Sequence, residues 1–407
     1  MRSVSPIEST FNRSRLRTRW DARPIDLSAI RLDDFLRLGL LLAATAATAT
    51  ISIRDPRAGW IFESAALVLA AIAIWRRERA PLRLVVPLAA IGLWGFAQLA
   101  LGATVYRFAT LDSSLRMASL AAIAVAAGSA FQTARATGKL IAWMAGFGLA
   151  VASLGVLAQF TSPGKYLWMF PSPYPDSWGV FASRNNFAQF LELALPAALW
   201  RARTGSVFDM AAAGAMLAAG VASASRAGAA LLAFETIACL ALMGRGKLKK
   251  WKLAAVIAAS VAVGGAGQLV GRFRQPDPLE LRREIARSTL AMIRAHPLKG
   301  WGLGTFASVY PAYAEFDIGA AVEHAHDDWL EWTAEGGIGF AAAWAALAIS
   351  IGVPAVRSIW GMGVLAVLAH AIVDFPFARL GIAAWVFLLI GALAARGGVR
   401  EFARGEH

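Results

Sequence analysis

The sequence predicts an all-α, polytopic membrane protein with about twelve transmembrane helices. Of the 407 residues, 58% are hydrophobic and 16% are charged, a balance typical of membrane proteins rather than of soluble domains. Apolar blocks near the length of about 20 residues that crosses a bilayer recur along the whole chain. A net charge of +14 would favour nucleic acid as the partner of a soluble protein. Here most basic residues lie in short linkers between the blocks, so no nucleic-acid binding is expected.

The apolar blocks divide the chain into five parts. Residues 1–35 are predicted to be a basic cytoplasmic tail without the pattern of a cleaved signal, residues 36–270 transmembrane helices 1 to 9, residues 271–326 a large periplasmic loop that carries the catalytic groups, residues 327–396 transmembrane helices 10 to 12, and residues 397–407 a second cytoplasmic tail. The predicted spans centre on 37–53, 60–75, 84–103, 115–131, 140–160, 187–201, 207–222, 228–243, 253–270, 328–353, 359–375 and 380–395.

Lysine and arginine favour every second linker. Four arginines lie between Arg76 and Arg83, and five basic residues lie between Arg245 and Lys252. By the positive-inside rule these linkers and both termini are cytoplasmic, so the loop 271–326 faces the periplasm or the exterior. The single cysteine, Cys239, lies in an apolar block, where it is expected to be a packing residue.

The stretch from Arg282 to Glu335 concentrates the residues that can carry chemistry, including three of the five histidines. A helix is predicted over 278–295, with Arg283, Arg287 and Arg294 on one side and Leu281, Ile285 and Met292 on the apolar side. This pattern fits an amphipathic helix at the membrane surface, which composition alone favours. It also fits a pyrophosphate clamp, because the guanidinium fork matches phosphate oxygens.

His324 and His326 stand two residues apart, before Asp327 and Asp328. Their spacing matches no specific zinc or di-iron pattern, so no metal is expected. One of the aspartates can cap the next helix, and a histidine at the mouth of a cavity can act as the base for a sugar hydroxyl. The preceding run Gly300-Trp301-Gly302-Leu303-Gly304 lacks the dinucleotide and P-loop spacings and predicts a tight turn.

Three further segments bring polar groups into apolar surroundings. Arg226 lies between two predicted spans with almost no loop and is expected to face a cavity or an anion. Arg184 and Asn186 carry a charge and an amide into a span. His370 and Asp374 share one helical face at i and i+4, as in a proton relay, a structural pair or the lining of a site; their position before Phe375-Pro376 favours the last two.

Taken together, these segments resemble the O-antigen ligase and polymerase family of bacterial membrane glycosyltransferases. The resemblance covers roughly residues 180–345 and depends on the order and spacing of several motifs. Its motifs are Ser225-Arg226-Ala227-Gly228, Arg282 followed by Met292 to Phe306, Ala325-His326-Asp327-Asp328-Trp329-Leu330, and Ala334-Glu335-Gly336-Gly337-Ile338-Gly339. The sequence departs from the family at Asp327, where asparagine is usual, which leaves His324 as a possible substitute for His326.

The resemblance implies transfer of a glycan from an undecaprenyl-diphosphate carrier to an acceptor hydroxyl, with no cofactor and no required metal, in the bacterial inner membrane with a periplasmic site. Arg226 and Arg282 then become candidates to hold the diphosphate and His326 the candidate base. Arg287, His324, Arg184 and Asn186 become candidates for substrate binding. The partners implied are the lipid-linked donor, a glycan or lipid A-core acceptor and membrane lipids.

The segments Arg184 to Ala188 and His370 to Phe375 resemble exopolysaccharide repeat-unit polymerases and favour a polymerase slightly over a lipid A-core ligase. A protein O-oligosaccharyltransferase of the same superfamily would use the same residues. A secondary transporter, with Arg226, His370 and Asp374 along its path, is the alternative from another class, but the sequence has no convincing internal repeat.

Overall fold

The computed structural model is a bundle of α-helices, in agreement with the predicted fold class. It describes residues 27–52, 56–75, 82–174, 176–243, 279–315 and 321–396, with single positions at 255, 259, 267, 270, 271 and 319. The predicted tails at 1–26 and 397–407 lie outside the described residues. The predicted ninth span, 253–270, is represented by single positions only, so it stays a prediction.

Thirteen α-helices occupy the described residues: α1 Leu27–Ala49, α2 Pro56–Trp75, α3 Leu82–Ala100, α4 Arg107–Ala130, α5 Ala134–Thr161, α6 Arg184–Ala202, α7 Val207–Ala222, α8 Arg226–Leu242, α9 Leu279–Ala295, α10 Phe306–Val309, α11 Asp328–Arg357, α12 Met362–His370 and α13 Leu380–Ala395. Between α5 and α6, β1 (Lys165–Tyr166) and β2 (Phe170–Pro171) form a short antiparallel hairpin. Leu167 and Trp168 turn this hairpin with positive φ angles of 43° and 67°.

Four of the described helices are long and apolar enough to cross a bilayer: Arg57–Trp75, Arg107–Ala130, Ala134–Thr161 and Asp328–Arg357. Four more apolar helices are shorter: Leu84–Ala100, Val207–Ala222, Ile359–His370 and Leu380–Ala395. The four long helices are therefore candidate membrane spans, while the number twelve stays a prediction. The predicted block 359–375 is shortened because its helix ends at His370, and the short 3-10 turn Pro376–Ala378 precedes the next one.

Two helices lie at the centre of the bundle, α6 and α13. Every residue of α6 from Asn186 to Leu199 is buried. This helix packs against α5, α7, α8 and α12, while α13 packs against α4 and α1. Because α6 is enclosed by protein on all sides, its polar residues meet other side chains rather than lipid.

The loop before α11 has a small core of its own. Ile285 and Met292 of α9 are buried there. The other members are Phe306, Val309, Tyr310, Ala325 and Ala334. The predicted helix over 278–295 is confirmed as α9, but Leu281, predicted on its apolar side, is 40% exposed. The apolar face of α9 thus packs on α11 and its neighbours, and its buried part does not meet lipid.

Candidate active site

His326 and Asp374 form the centre of the candidate site. The Nδ1 atom of His326 lies 3.8 Å from Oδ1 of Asp374, and the His326 side chain is 36% exposed. His326 has a left-handed backbone with φ of 55°, which is uncommon outside glycine. In the described part of the chain neither ring nitrogen of His326 makes a hydrogen bond, and Nδ1 is buried. One ring nitrogen therefore faces a carboxylate while the other is available to a substrate.

Asp374 is held as a carboxylate by its surroundings. It lies beyond the last residue of α12 and is buried. Burial raises its pKa, but contact with His326 and the positive charges of His370 and Arg282 outweigh this and lower the pKa to about 2. Its Oδ1 also accepts a hydrogen bond of 3.0 Å from the Phe375 amide. Asp374 is therefore ionised at neutral pH and fixed in position.

A chain of amides connects Asp374 to the start of α6. Gln189 donates to Oδ2 of Asp374 at 3.2 Å, and Asn186 donates to Oε1 of Gln189 at 2.9 Å. The backbone of Asn186 is held in turn by the N-cap Ser183, whose Oγ accepts its N–H. Asn186, predicted to bind substrate, is 1% exposed and acts on the site through Gln189.

Arg282 reaches the same site from α9. Its Nη1 donates to the carbonyl oxygen of Val373 at 2.8 Å, and its charge contributes to the low pKa of Asp374. Arg282 thus lies beside the His326 and Asp374 pair. This is the position that a residue needs if it is to bind an anion at the site. The remaining guanidinium donors have no partner among the described residues.

Arg226 begins α8, at the same end of α6 as the amide chain. The N-cap Ser225 accepts the Gly228 amide at 3.2 Å, and its hydroxyl donates to Oδ1 of Asn185 at 2.8 Å. Within the described residues Arg226 makes no hydrogen bond or ion pair. A free guanidinium at a helix N-terminus, where the helix dipole is positive, suits an anionic group.

The other two predicted arginines are engaged elsewhere. Arg287 pairs with Glu284 one turn earlier and is 63% exposed. Arg184 pairs with Asp176 in the loop before α6. Each has a carboxylate partner, in contrast to Arg226.

His324 has its own carboxylate and shares an aromatic ring with His326. Its Nδ1 lies 2.9 Å from Oε1 of Glu331, whose Oε2 accepts the Ala325 amide at 2.8 Å. The His324 ring stacks on Phe375 at 4.5 Å between centroids, and the His326 ring meets the same phenyl edge-on at 4.9 Å. Two imidazole and carboxylate pairs therefore flank one phenyl group.

His370 and Asp374, predicted on one face, have different partners. His370 Nδ1 lies 2.8 Å from Oε1 of Glu192 in α6, and both side chains are fully buried. Asp374 instead lines the site with His326. His370 thus belongs to a buried contact between α6 and α12, whereas Asp374 belongs to the candidate site.

The glycine run forms the predicted tight turn, and Glu335 holds it. Gly300, Gly302 and Gly304 have φ angles of 65°, 109° and 75°. The Glu335 carboxylate accepts the amides of Gly304 and Phe306, each at 2.8 Å. The tight turn is confirmed, and Glu335 is occupied with backbone donors.

A cavity of about 220 Å³ opens next to His324. Its walls come from α4, α10, α11 and the 3-10 turn after α12, and its polar members are Ser113, Arg116, Glu323, His324, Asp328, Glu331 and Glu335. Sequence reasoning missed the contribution of Glu331, Glu335 and Arg116. Asp328, Glu331 and Glu335 recur at i, i+3 and i+7, which places three carboxyl groups on one face of a helix and could have indicated the acidic wall.

In the described part of the chain, no group of three or more histidine, cysteine, aspartate or glutamate side chains is placed to hold a metal ion. Cys239 is buried and close to the Ile359 carbonyl, as expected of a packing residue.

Residues 211–345 match the sequence model of a family described as O-antigen ligase. This region begins in α7 and includes Arg226, Arg282, His324, His326 and the first half of α11. Asp374, Gln189 and Asn186 lie outside it. No curated protein matches the chain.

Proposed function

We propose that this chain, which matches the O-antigen ligase family over residues 211–345, transfers a glycan from an undecaprenyl-diphosphate carrier to an acceptor hydroxyl. The family match and the apolar helices support a bacterial membrane enzyme of the O-antigen ligase and polymerase type. The observation that carries the proposal is the His326 and Asp374 pair with Arg282 beside it. The proposed base, His326, and a cationic group, Arg282, then lie at one site. The reaction needs both, the base for the acceptor hydroxyl and the cation for the diphosphate.

In the proposed reaction the free Nε2 of His326 takes the proton of the acceptor hydroxyl. The acceptor oxygen attacks the anomeric carbon of the donor sugar, and the bond from this carbon to the diphosphate oxygen breaks. The electron pair of that bond leaves with the diphosphate, and a single displacement inverts the anomeric carbon. Asp374 faces the other ring nitrogen, so it stabilises the protonated imidazole that forms.

Arg226 and Arg282 are proposed to hold the departing diphosphate. Negative charge concentrates there as the bond breaks, and preorganised guanidinium groups in a site that excludes water stabilise such charge strongly. Arg226 supports this role because it has no partner among the described residues and starts a helix. No metal is needed for this charge balance, and a metal-independent reaction is part of the proposal.

The remaining candidates have secondary roles in the proposal. Asn186 positions Asp374 through Gln189. Arg287 and Arg184 can bind the carrier only by exchanging their present partners, Glu284 and Asp176. His324 is placed at the mouth of the cavity, on the acceptor side.

The first experiment tests the site. We expect His326→Ala, Arg226→Ala and Arg282→Ala each to abolish surface polysaccharide while the protein still accumulates in the membrane. Arg283→Ala, on the exposed side of the same helix as Arg282, is the matched control and should leave polysaccharide unchanged. Retained activity in all three site variants would overturn the site assignment.

The second experiment tests the acceptor. We lean to a polymerase because Arg184 to Ala188 and His370 to Phe375 resemble polymerases, and Gln189, directly after the first segment, donates a hydrogen bond to Asp374 in the second. Loss of a polymerase leaves single repeat units on lipid in a deletion strain. Long chains left on the carrier would instead identify a ligase, and unglycosylated protein a protein O-oligosaccharyltransferase.

A further inference from the structure

The cavity beside His324 has the size, the polar groups and the charge of a sugar subsite. From these features we infer that it binds a neutral or amino-bearing sugar ring of the acceptor. This inference rests on the proposed function. It identifies the acceptor as a chain that contains such a sugar near His326.

The size of the cavity suits a single ring. Its volume is about 220 Å³, whereas pockets for drug-sized ligands run from about 300 Å³ upwards. The aromatic side chains of Phe306, Trp332 and Phe377 also line it. Such walls pack against the apolar face of a sugar ring and leave its hydroxyls to the polar groups.

Asp328 supplies a hydrogen-bonding group on this wall. It is 2% exposed, and its Oδ2 accepts the Phe377 amide at 3.0 Å. Its Oδ1 makes no hydrogen bond with the described residues. A carboxyl oxygen on a cavity wall can form a hydrogen bond with a sugar hydroxyl, which is the kind of donor expected here.

The other polar groups extend this pattern. Each Glu331 oxygen accepts one hydrogen bond and retains a further lone pair. Arg116 supplies donors for the oxygen of a hydroxyl group. Its charge is already shared between Asp112, at 3.3 Å, and Glu63, at 4.0 Å.

The charge of the lining decides which sugar fits. Four carboxyl groups line the cavity, from Glu323, Asp328, Glu331 and Glu335, against the single guanidinium of Arg116. Asp328 and Glu335 are buried against backbone amides, so Glu323 and Glu331 are the two that act against an anionic sugar. Like charges in a confined site cost binding energy, so a sugar that carries a carboxylate or a phosphate is disfavoured. The donor sugar carries the diphosphate, and the acceptor ring is therefore the better occupant.

His324 connects the cavity to the reacting groups. It lines the cavity and stacks on one face of Phe375, whose edge contacts His326. Because Phe375 lies between His324 and His326, a ring held in the cavity is a neighbour of the acceptor sugar whose hydroxyl reaches His326. His324 then positions the acceptor, and His326 takes its proton.

Direct binding of simple sugars tests the inference. The probes are the methyl glycosides of glucose, galactose, mannose, rhamnose and glucosamine, with methyl glucuronide as the anionic member. Saturation-transfer NMR on the purified full chain in nanodiscs should show saturable binding of at least one neutral or amino sugar. Methyl glucuronide should bind about tenfold more weakly than methyl glucoside or glucosaminide, a difference of about 1.4 kcal/mol.

Two substitutions on one short helix provide the variant and its control. Ala307 lines the cavity and is exposed, so Ala307→Trp fills the cavity from outside and should abolish sugar binding. Ser308 is also exposed but does not line it, and Ser308→Trp should bind like the wild type. Glu323→Gln removes the exposed carboxylate from the lining and should reduce the difference in affinity between methyl glucoside and methyl glucuronide.

The results separate the inference from the proposed function. No saturable binding by any neutral or amino sugar, or equal binding in Ala307→Trp, overturns the cavity assignment even if glycan transfer is found. Sugar binding that survives in His326→Ala, together with no transfer by the wild type to any acceptor, overturns the proposed function while the cavity assignment stands.

Discussion

At His326 the left-handed backbone presents the imidazole between Asp374 and the open side of the site. A φ of 55° costs a residue with a side chain about 1 to 2 kcal/mol. The surrounding contacts keep this conformation, with Phe375 against the ring and Asp374 facing Nδ1. Backbone strain of this kind is common at functional sites, where the orientation of a side chain matters more than the stability of the local backbone.

Asp374→Asn tests whether the carboxylate assists His326. Removal of the charge that faces Nδ1 should lower the turnover of glycan transfer about 10- to 100-fold, which is less than the roughly 100- to 10,000-fold of a complete general base, because His326 itself remains. Donor binding should change little, because Arg226 and Arg282 are untouched. Transfer assays with a fixed donor and varied acceptor measure this, and wild-type turnover in Asp374→Asn would argue against the assistance.

Gly300→Ala tests the glycine turn. Gly300 has φ of 65°, and an added Cβ would overlap the carbonyl group of Glu335. Gly102 has φ of 64° but open space around its Cα, so Gly102→Ala is the matched control. We expect the control to lose about 1 kcal/mol and Gly300→Ala about 2 to 3 kcal/mol more, as a lower unfolding temperature in detergent. Equal losses in the two variants would contradict the role of the Glu335 contact.

Most residues of the candidate site could be predicted from the sequence, but the side-chain contacts between them could not. His326, Arg282 and Arg226 stand out as candidates in the sequence because charged and titratable residues are rare in apolar sequence. The contact between His326 and Asp374 could not be predicted, because the two residues are far apart in the chain and helical periodicity indicates only neighbours on the same helix. The i and i+4 pattern pointed instead to His370, which contacts Glu192.

Among the elements, the start of α11 has the strongest local determinants. Asp327 is its N-cap and accepts the Leu330 amide at 3.0 Å, which confirms the predicted capping role. Burial raises the pKa of Asp327, and the backbone hydrogen bonds from Leu330 and Trp329 oppose this only in part. An asparagine, the usual family residue, offers the same oxygen without a charge.

Asp327→Asn is therefore expected to preserve the fold and transfer activity, whereas Asp327→Ala should cost about 1 kcal/mol through loss of the cap. A folded-state pKa above the ordinary value means that ionisation of Asp327 destabilises the wild type as the pH rises through it. The stability of Asp327→Asn relative to the wild type should thus increase with pH. Thermal unfolding at several pH values measures this, and an asparagine variant as unstable as the alanine variant would contradict the capping role.

Element boundaries were predicted less well than element existence. Helix α1 begins at Leu27 rather than at 37, and α4 at Arg107 rather than at 115. Hydropathy marks only the apolar part of a helix, while backbone hydrogen bonds continue through polar turns. The Lys165 to Pro171 hairpin was missed because each strand has two residues, too few for a period-2 pattern.

On the scale of the whole molecule, side-chain contacts join segments that were predicted on the same side of the membrane. Arg37 donates to the Ala130 carbonyl, and Lys139 lies 3.7 Å from Asp34, at the predicted cytoplasmic end. The Val105 amide donates to the Trp301 carbonyl at the opposite end, where Arg282 reaches Val373. This agreement supports the predicted arrangement of helix ends, which came from lysine and arginine counts alone.

Cysteine accessibility tests the orientation. In a Cys239→Ala background, Ser308→Cys should react with a membrane-impermeant maleimide in intact spheroplasts. Thr204→Cys, exposed in the turn between α6 and α7, should react only after the membrane is opened. The reverse pattern would place the candidate site in the cytoplasm and contradict the topology from the positive-inside rule.

The central position of α6 has a consequence for how the protein is made. This helix supplies the amides behind Asp374 and the Glu192 partner of His370, and it is neither among the helices long and apolar enough to cross a bilayer nor among the shorter apolar ones. With Arg184, Asn186, Gln189 and Glu192 in its first half, it enters lipid poorly when it leaves the translocon alone. We expect neighbours such as α5 and α7 to assist its insertion, so biogenesis and the support of the candidate site would depend on the same polar residues.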